Sequence, residues 1–225
     1  MTPDRTLARA LASEYNARDD PIGWFEVLYD RALATAKGTD AIPWADLAPS
    51  PHLVSWLDAH DLPPSRRRAL KVGCGLGDDA EELARRGFEV TAFDVAPTAI
   101  HWCRWRFPSS PVSYVCCDLF DLPPDWQRAF DLVVEAYTLQ VLPPHVRSAA
   151  MQAVTCCVAP GGLLLVISRG REQHDPEGLM PWPLVRSELA AFAQLGMEEL
   201  CFDDYIDQED PPVRRFRATY RRGSR

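Results

Sequence analysis

The alternation of hydrophobic and polar positions changes once along the chain, near residue 67. Upstream of it the sequence reads as helices and loops. Residues 1–20 are a polar, partly helical lead, and residues 21–37 carry a helical pattern. Pro21 suits the start of that helix and Gly38 its stop. A Trp- and Pro-rich loop follows over 42–51, then a helix over 52–60 and a break at Pro63-Pro64.

Downstream, short apolar runs alternate with amphipathic stretches. The pattern predicts strands over 68–72, 89–94, 112–117, 130–136, 163–168, 198–205 and 213–221. Between them it predicts helices over 78–86 (stopped by Gly87), 97–107 (ending before Pro108), 144–158 and 184–195 (closed by Gly196), with a turn at Pro160-Gly161-Gly162. Strands separated by helices form βαβ units and a parallel sheet. The last two strands are joined by 207–212, too short for a parallel crossover of a dozen or more residues. The expected fold is therefore α/β: a doubly wound, seven-stranded, mostly parallel sheet with an antiparallel last strand.

Composition narrows the function classes. A chain of 225 residues, 47% hydrophobic and 25% charged, is suited to one large globular domain. Its net charge of -8 disfavours nucleic acid as a partner, because affinity for phosphate backbones comes from Lys and Arg. The one basic cluster, Arg214, Arg215, Arg217, Arg221, Arg222 and Arg225, reads as a solvated last strand and tail. No apolar run reaches the length needed to span a membrane, and the N-terminus lacks a secretory signal. A cytoplasmic location with reduced thiols follows as the expectation. The adjacent pairs Cys116-Cys117 and Cys156-Cys157 lack the spacing of a metal or redox site, and no metal is expected.

The chemistry concentrates at the ends of the strands. Gly73-Cys74-Gly75-Leu76-Gly77 follows the first predicted strand and opens a helix. Glycines there permit a tight turn and close approach of the backbone to a ligand, and the helix N-terminus offers unpaired N–H groups. Asp94 closes the second strand, nineteen residues beyond Gly75, near the spacing of about 20 for an acid that binds a ribose. Asp118 lies just past the third strand, where its carboxylate can accept from an adenine amino group, with Leu119 and Phe120 lining the ring. The fourth strand ends in Glu135, Ala136, Tyr137 and then Gln140, and ligands of open α/β sheets sit beyond such carboxyl ends.

Together these motifs resemble the class I S-adenosylmethionine-dependent methyltransferases, over about residues 67–168. Gly-x-Gly-x-Gly differs from the dinucleotide pattern Gly-x-Gly-x-x-Gly, which favours that family over a dehydrogenase. The resemblance implies S-adenosylmethionine as cofactor. Gly73, Cys74, Gly75 and Gly77 would wrap its amino-acid part, Asp94 and Val95 the ribose, and Asp118, Leu119 and Phe120 the adenine. Glu135, Ala136 and Tyr137 would lie beneath the methionine end. Lys71 stands where the family often has an acid, a departure that removes a contact to the cofactor ammonium. Pro43-Trp44 and Pro49-x-Pro51 are similar to the segment preceding the core in the thiopurine, thiol and halide methyltransferase group, which makes Trp44 a candidate aromatic lid near the sulfonium. Tyr29 and Trp24 are lesser candidates. On this reading 1–66 is a helical lead and lid, and 67–225 the catalytic domain, in one compact unit.

The expected reaction is in-line methyl transfer to a small-molecule acceptor. A thiolate or halide needs no general base, whereas a hydroxyl or amine does. Tyr137, Gln140 and Arg169 are the candidate catalytic residues, and His174, Met180 and Trp182 belong with Arg169 to a possible substrate lid over 169–183. The alternatives are a macromolecule methyltransferase and a non-catalytic binder of S-adenosylmethionine or a nucleotide.

Overall fold

Three nearly continuous apolar runs make the middle of the sheet. They are β1 (Arg68–Val72), β2 (Glu89–Asp94) and β4 (Phe130–Ala136), with β3 (Ser113–Cys116) at the edge. Runs this apolar suit strands covered on both faces. The computed structural model describes residues 5–34, 38–60 and 67–224. The end expected for the second helix at 35–37, the Pro63-Pro64 break and Arg225 lie outside the described residues.

The sheet continues through β5 (Val158–Arg171), β6 (Leu184–Val185), β7 (Met197–Ile206) and β8 (Arg214–Arg222). Its order is β3-β2-β1-β4-β5-β8-β7, with the two-residue β6 pairing β5 off this path. The neighbours from β3 to β5 are parallel, whereas β8 runs antiparallel to both β5 and β7. The final hairpin thus has the geometry its short connection required.

Alternate residues of each strand serve opposite faces. On one face Leu70, Val72, Leu164 and Val166 pack with Met151 and Val154 of α6 (Pro144–Cys157). On the other, Ala69, Leu165 and Ile167 meet Trp56 of α3 (Pro51–Ala59), Leu83 of α4 (Asp78–Arg85) and Ile100 of α5 (Pro97–Arg106). Full burial of such side chains contributes roughly 1.5–3 kcal/mol each. The Trp56 indole also donates to Thr219 Oγ1 at 2.8 Å, fastening α3 to β8.

The lead forms α1 (Thr6–Asn16) and α2 (Trp24–Leu33). Trp24, Leu28, Leu11 and Met180 share one apolar cluster, and Tyr29 and Ile42 pack with Leu76 and Ala96 in another. Glu26 accepts hydrogen bonds from both the amide and the hydroxyl of Thr98, at 3.0 and 2.6 Å, which anchors α2 to α5. The lead therefore lies across the edge where β1 and β2 end.

Two predicted elements differ. The expected turn at 160–162 lies within β5, whose pairing with β4 shifts between Phe130/Val158 and Leu132/Leu163. Gly161 takes a left-handed φ of 75° there, and a Cβ on Gly162 would meet Ala159 O at 2.9 Å. The expected helix over 184–195 is instead β6 followed by two short helices, α7 (Arg186–Leu189) and α8 (Ala191–Gln194). Glu188 explains the break: its carboxylate accepts from Val185 N at 2.8 Å and from Arg147 at 2.6 Å, holding 184–185 extended beside β5. Three residues of the basic cluster are ion-paired, while Arg221 is exposed and Arg225 lies outside the described residues. Arg214 meets Asp204 and Glu172, Arg217 meets Asp203, and Arg215 meets Asp207 and Glu209. Among the described residues no helix is long and apolar enough to cross a membrane.

Candidate functional site

The site starts where β1 runs out of side chains. Gly73, Gly75 and Gly77 have φ of 55°, 55° and 96°, a region that L side chains enter only at a cost. Packing enforces the choice at two of them. A Cβ on Gly73 would lie 2.5 Å from Thr138 Oγ1, and one on Gly77 would lie 2.7 Å from the Tyr114 hydroxyl.

Hydrogen bonds sew this turn to the tip of β2. Cys74 N donates to Phe93 O at 2.8 Å, and Gly75 N donates to Asp94 Oδ2 at 2.9 Å. The second oxygen, Oδ1, accepts from Ala96 N at 3.0 Å. Asp94 is buried, which pushes its carboxyl up, while the amides of Ala96 and Gly75 pull it back. Each oxygen retains acceptor capacity, since a carboxylate offers about four lone-pair sites. Val95, half-buried, follows directly.

Asp118 lies two residues past Cys116, the β3 residue in register with Asp94. Its Oδ1 accepts from Phe120 N at 2.8 Å and shapes the loop. Leu119 packs into the core with Phe93 and Trp126, while Phe120 remains on the surface.

Glu135 is the most enclosed acid of the site, with no exposure. Its Oε1 accepts from Thr138 N and Leu139 N at 2.7 and 2.9 Å, whereas Oε2 is buried without a partner. Burial raises its pKa to about 7, against the pull of those amides and of Lys71. Lys71 is itself buried. Its ammonium donates to Val72 O at 2.9 Å and Gly73 O at 3.3 Å, and lies 3.8 Å from Asp79. The lysine thus ties the end of β1 from below.

Ala136 is buried, and Tyr137 follows it with a φ of 70°, strained for a residue with a side chain. The Tyr137 hydroxyl is 3.2 Å from Ser50 Oγ, and the Arg215 guanidinium lies 5.3 Å from its ring centre. Burial holds the hydroxyl well above its ordinary pKa, so it stays protonated. Gln140 is buried, and its Oε1 accepts from Arg169 N at 2.7 Å, which makes it a brace between β4 and β5. Met180 is part of the α1–α2 cluster, Trp182 N donates to Gln140 O at 2.7 Å, and His174 is exposed.

The lead covers the glycine turn with aromatics. Trp44 Nε1 donates to the Tyr29 hydroxyl at 3.0 Å, and the two rings meet edge-on at 6.0 Å. Tyr29 is buried, and its hydroxyl would stand 3.4 Å from a Cβ on Gly75. Burial and the Asp94 charge raise the Tyr29 pKa strongly. Tyr29, a lesser candidate in sequence beside Trp44, is the aromatic whose hydroxyl stands over the turn.

A second polar cluster escaped sequence reasoning. His52 Nδ1 is 2.8 Å from the Tyr205 hydroxyl, and Asp207 Oδ2 lies 3.8 Å from His52 Nε2 and 2.6 Å from Arg215 Nε. His52, Asp207 and Glu209 could converge on one cation, but Arg215 already bridges the two carboxylates. A shallow depression of about 470 Å³, lined by His52, Phe202, Tyr205 and Arg217 among others, opens beside this cluster and not over the glycine turn. These residues are dispersed from α3 to the last hairpin, so no spacing announces them.

The comparisons with known proteins converge on one family. Residues 69–162 match the methyltransferase domain family. The chain is 26% identical over 181 residues to a probable thiol methyltransferase of Arabidopsis thaliana, across 71% of this chain and 78% of that protein. It is 33% identical over 112 residues to a ubiquinone biosynthesis O-methyltransferase of Xanthomonas axonopodis pv. citri, spanning 49% of this chain and 46% of that protein. By fold it is similar to the N-methyltransferase NodS of Bradyrhizobium japonicum WM9, solved with S-adenosyl-L-homocysteine. The TM-score is 0.67 and the identity 22%, across 88% of this chain and 97% of that one.

Proposed function

Starting from a chain that is an S-adenosylmethionine-dependent methyltransferase, we propose that it methylates a small-molecule thiol. The observation that carries the site is the 2.9 Å bond from Gly75 N to Asp94 Oδ2, which makes the glycine turn and the acid one rigid cradle.

The residues suit the cofactor. Asp94 can accept from two ribose hydroxyls on the lone pairs that the amides leave free. The unpartnered Glu135 Oε2 supplies a buried acceptor for the cationic methionine end, and that positive charge would favour the ionised carboxylate over the protonated form that burial promotes. Lys71, whose ammonium is held by Val72 O, Gly73 O and Asp79, favours the ionised form of Glu135. Asp118 and Phe120 would border the adenine, and Tyr137 the reacting end.

The cofactor supplies an activated methyl on a good leaving group. The chain's share is positioning and exclusion of water, through the glycine turn, Asp94 and the Tyr29–Trp44 cover. Soft sulfur is favoured as acceptor because neither Tyr137 nor Gln140, the candidates at the reacting end, can serve as a base. Tyr137 stays protonated at neutral pH, and Gln140 is bound to the β5 backbone. The similarity to the plant thiol methyltransferase supports the same reading. All seven cysteines are free thiols, which accords with a reducing compartment such as the cytoplasm.

The test is transfer of labelled methyl from S-adenosylmethionine to a panel of small thiols, alcohols and amines. Methylated thiols are expected. Transfer confined to alcohols or amines would overturn the thiol assignment, and cofactor binding without transfer to any acceptor would overturn the catalytic one.

A further inference from the structure

Arg169 ends the apolar part of β5 at the carboxyl edge of the sheet, beside the proposed reacting end. It lies directly opposite Arg215 across the antiparallel β5–β8 pair. Like charges in that position repel, so the pair needs compensation. Arg215 has it, from Asp207 and Glu209. Arg169 does not: among the described residues its guanidinium makes no ion pair and no side-chain hydrogen bond, although it is half-buried.

Cross-strand partners share a face. The Arg215 guanidinium lies over Tyr137, so Arg169 belongs to the Tyr137 side of the sheet. Its backbone is fixed there by Gln140. A second cation, Arg5, approaches from the lead. Arg5 precedes Arg9 by one helical turn, which puts both on one face of α1. Arg9 Nε donates to Met180 O at 2.7 Å, seating that face on the segment that follows β5. Burial, Arg5 and Arg215 lower the pKa of Arg169, against the opposing pull of Glu209 and Asp207.

We propose that Arg169, assisted by Arg5, binds a carboxylate on the acceptor, so that the substrates are anionic thiols. This rests on the thiol-methylation reading and narrows it. A guanidinium fork matches a carboxylate in two parallel hydrogen bonds, and a partly desolvated site strengthens them. The carboxylate would also cancel the repulsion between Arg169 and its two cationic neighbours.

The experiment uses the full chain saturated with S-adenosyl-L-homocysteine, titrated calorimetrically with 3-mercaptopropionate and with its neutral counterpart 3-mercapto-1-propanol. The carboxylated thiol should bind at least ten-fold more tightly. Arg169→Met should abolish that preference, and Arg169→Lys should restore part of it, while the affinity of each variant for S-adenosyl-L-homocysteine stays at the wild-type value. Equal affinity for the two thiols, binding of neither at millimolar concentration, or a preference that survives Arg169→Met overturns the anion site. Labelled-methyl transfer is followed in parallel. A carboxylate preference without methylation of any thiol would remove the thiol-methylation reading and leave the anion site standing. Equal methylation of both thiols by wild type and Arg169→Met would do the reverse.

Discussion

The amide of Gly75 and the carboxylate of Asp94, nineteen residues apart in sequence, are joined by a 2.9 Å hydrogen bond. The turn that would wrap one end of the cofactor thus holds the acid that would grip its ribose. Neither can move without the other.

Asp94→Ala should therefore abolish both roles. It leaves the amides of Gly75 and Ala96 without acceptors, and each buried orphan costs about 1–3 kcal/mol. Isothermal titration with S-adenosyl-L-homocysteine should show at least a ten-fold loss of affinity. Wild-type affinity in this variant would remove Asp94 from the site.

Gly73→Ala and Gly178→Ala separate backbone strain from steric conflict. Both glycines have positive φ, of 55° and 68°. A Cβ on Gly73 meets Thr138 Oγ1 at 2.5 Å, whereas one on Gly178 meets nothing within 4 Å. Strain alone costs roughly 1–2 kcal/mol at each position. Denaturant unfolding should show Gly73→Ala to be the more damaging, and Gly73→Ala/Thr138→Ala should recover only the excess.

Glu135 makes stability depend on pH in an unusual direction. Its folded pKa of about 7 lies above the ordinary 4.5, so the folded state binds more protons between those values. The stabilisation is full below about pH 4.5 and is lost as pH rises through 7. For this fully buried group the loss is roughly 3 kcal/mol. Glu135→Gln should flatten the unfolding free energy between pH 5 and 8. An unchanged pH profile would mean that Glu135 titrates normally.

Trp44→Ala removes the donor to the Tyr29 hydroxyl and the edge-on contact between the rings. The cover over the glycine turn should loosen, raising KM for S-adenosylmethionine several-fold. Trp44→Phe keeps the ring without the N–H and should fall between the two. Wild-type kinetics in Trp44→Ala would free the lead from any role in cofactor binding.

Much of the fold was written in local pattern. β1, β2 and β4 follow the expected ranges because buried apolar runs leave few alternatives, and Gly87, with φ of 90°, sits just past α4 where a stop was expected. The glycine turn and Asp94 were legible because their chemistry is local to two strand ends. The segment 184–195 was not. Its apolar spacing is helical, yet Glu188 draws hydrogen bonds from Val185 and Arg147 that outweigh propensity.

Sequence by itself determined the layered α/β architecture, the reversed last strand and the glycine turn after the first strand, because periodicity, connection length and glycine placement act over a few residues. Only the tertiary structure decided that Tyr29 stands over Gly75, that Lys71 is tied to backbone carbonyls, and that Arg169 faces Arg215 with no ion pair of its own among the described residues. Those relationships depend on the register between strands and on how the lead packs across the sheet edge, and long-range packing leaves no trace in spacing along the chain.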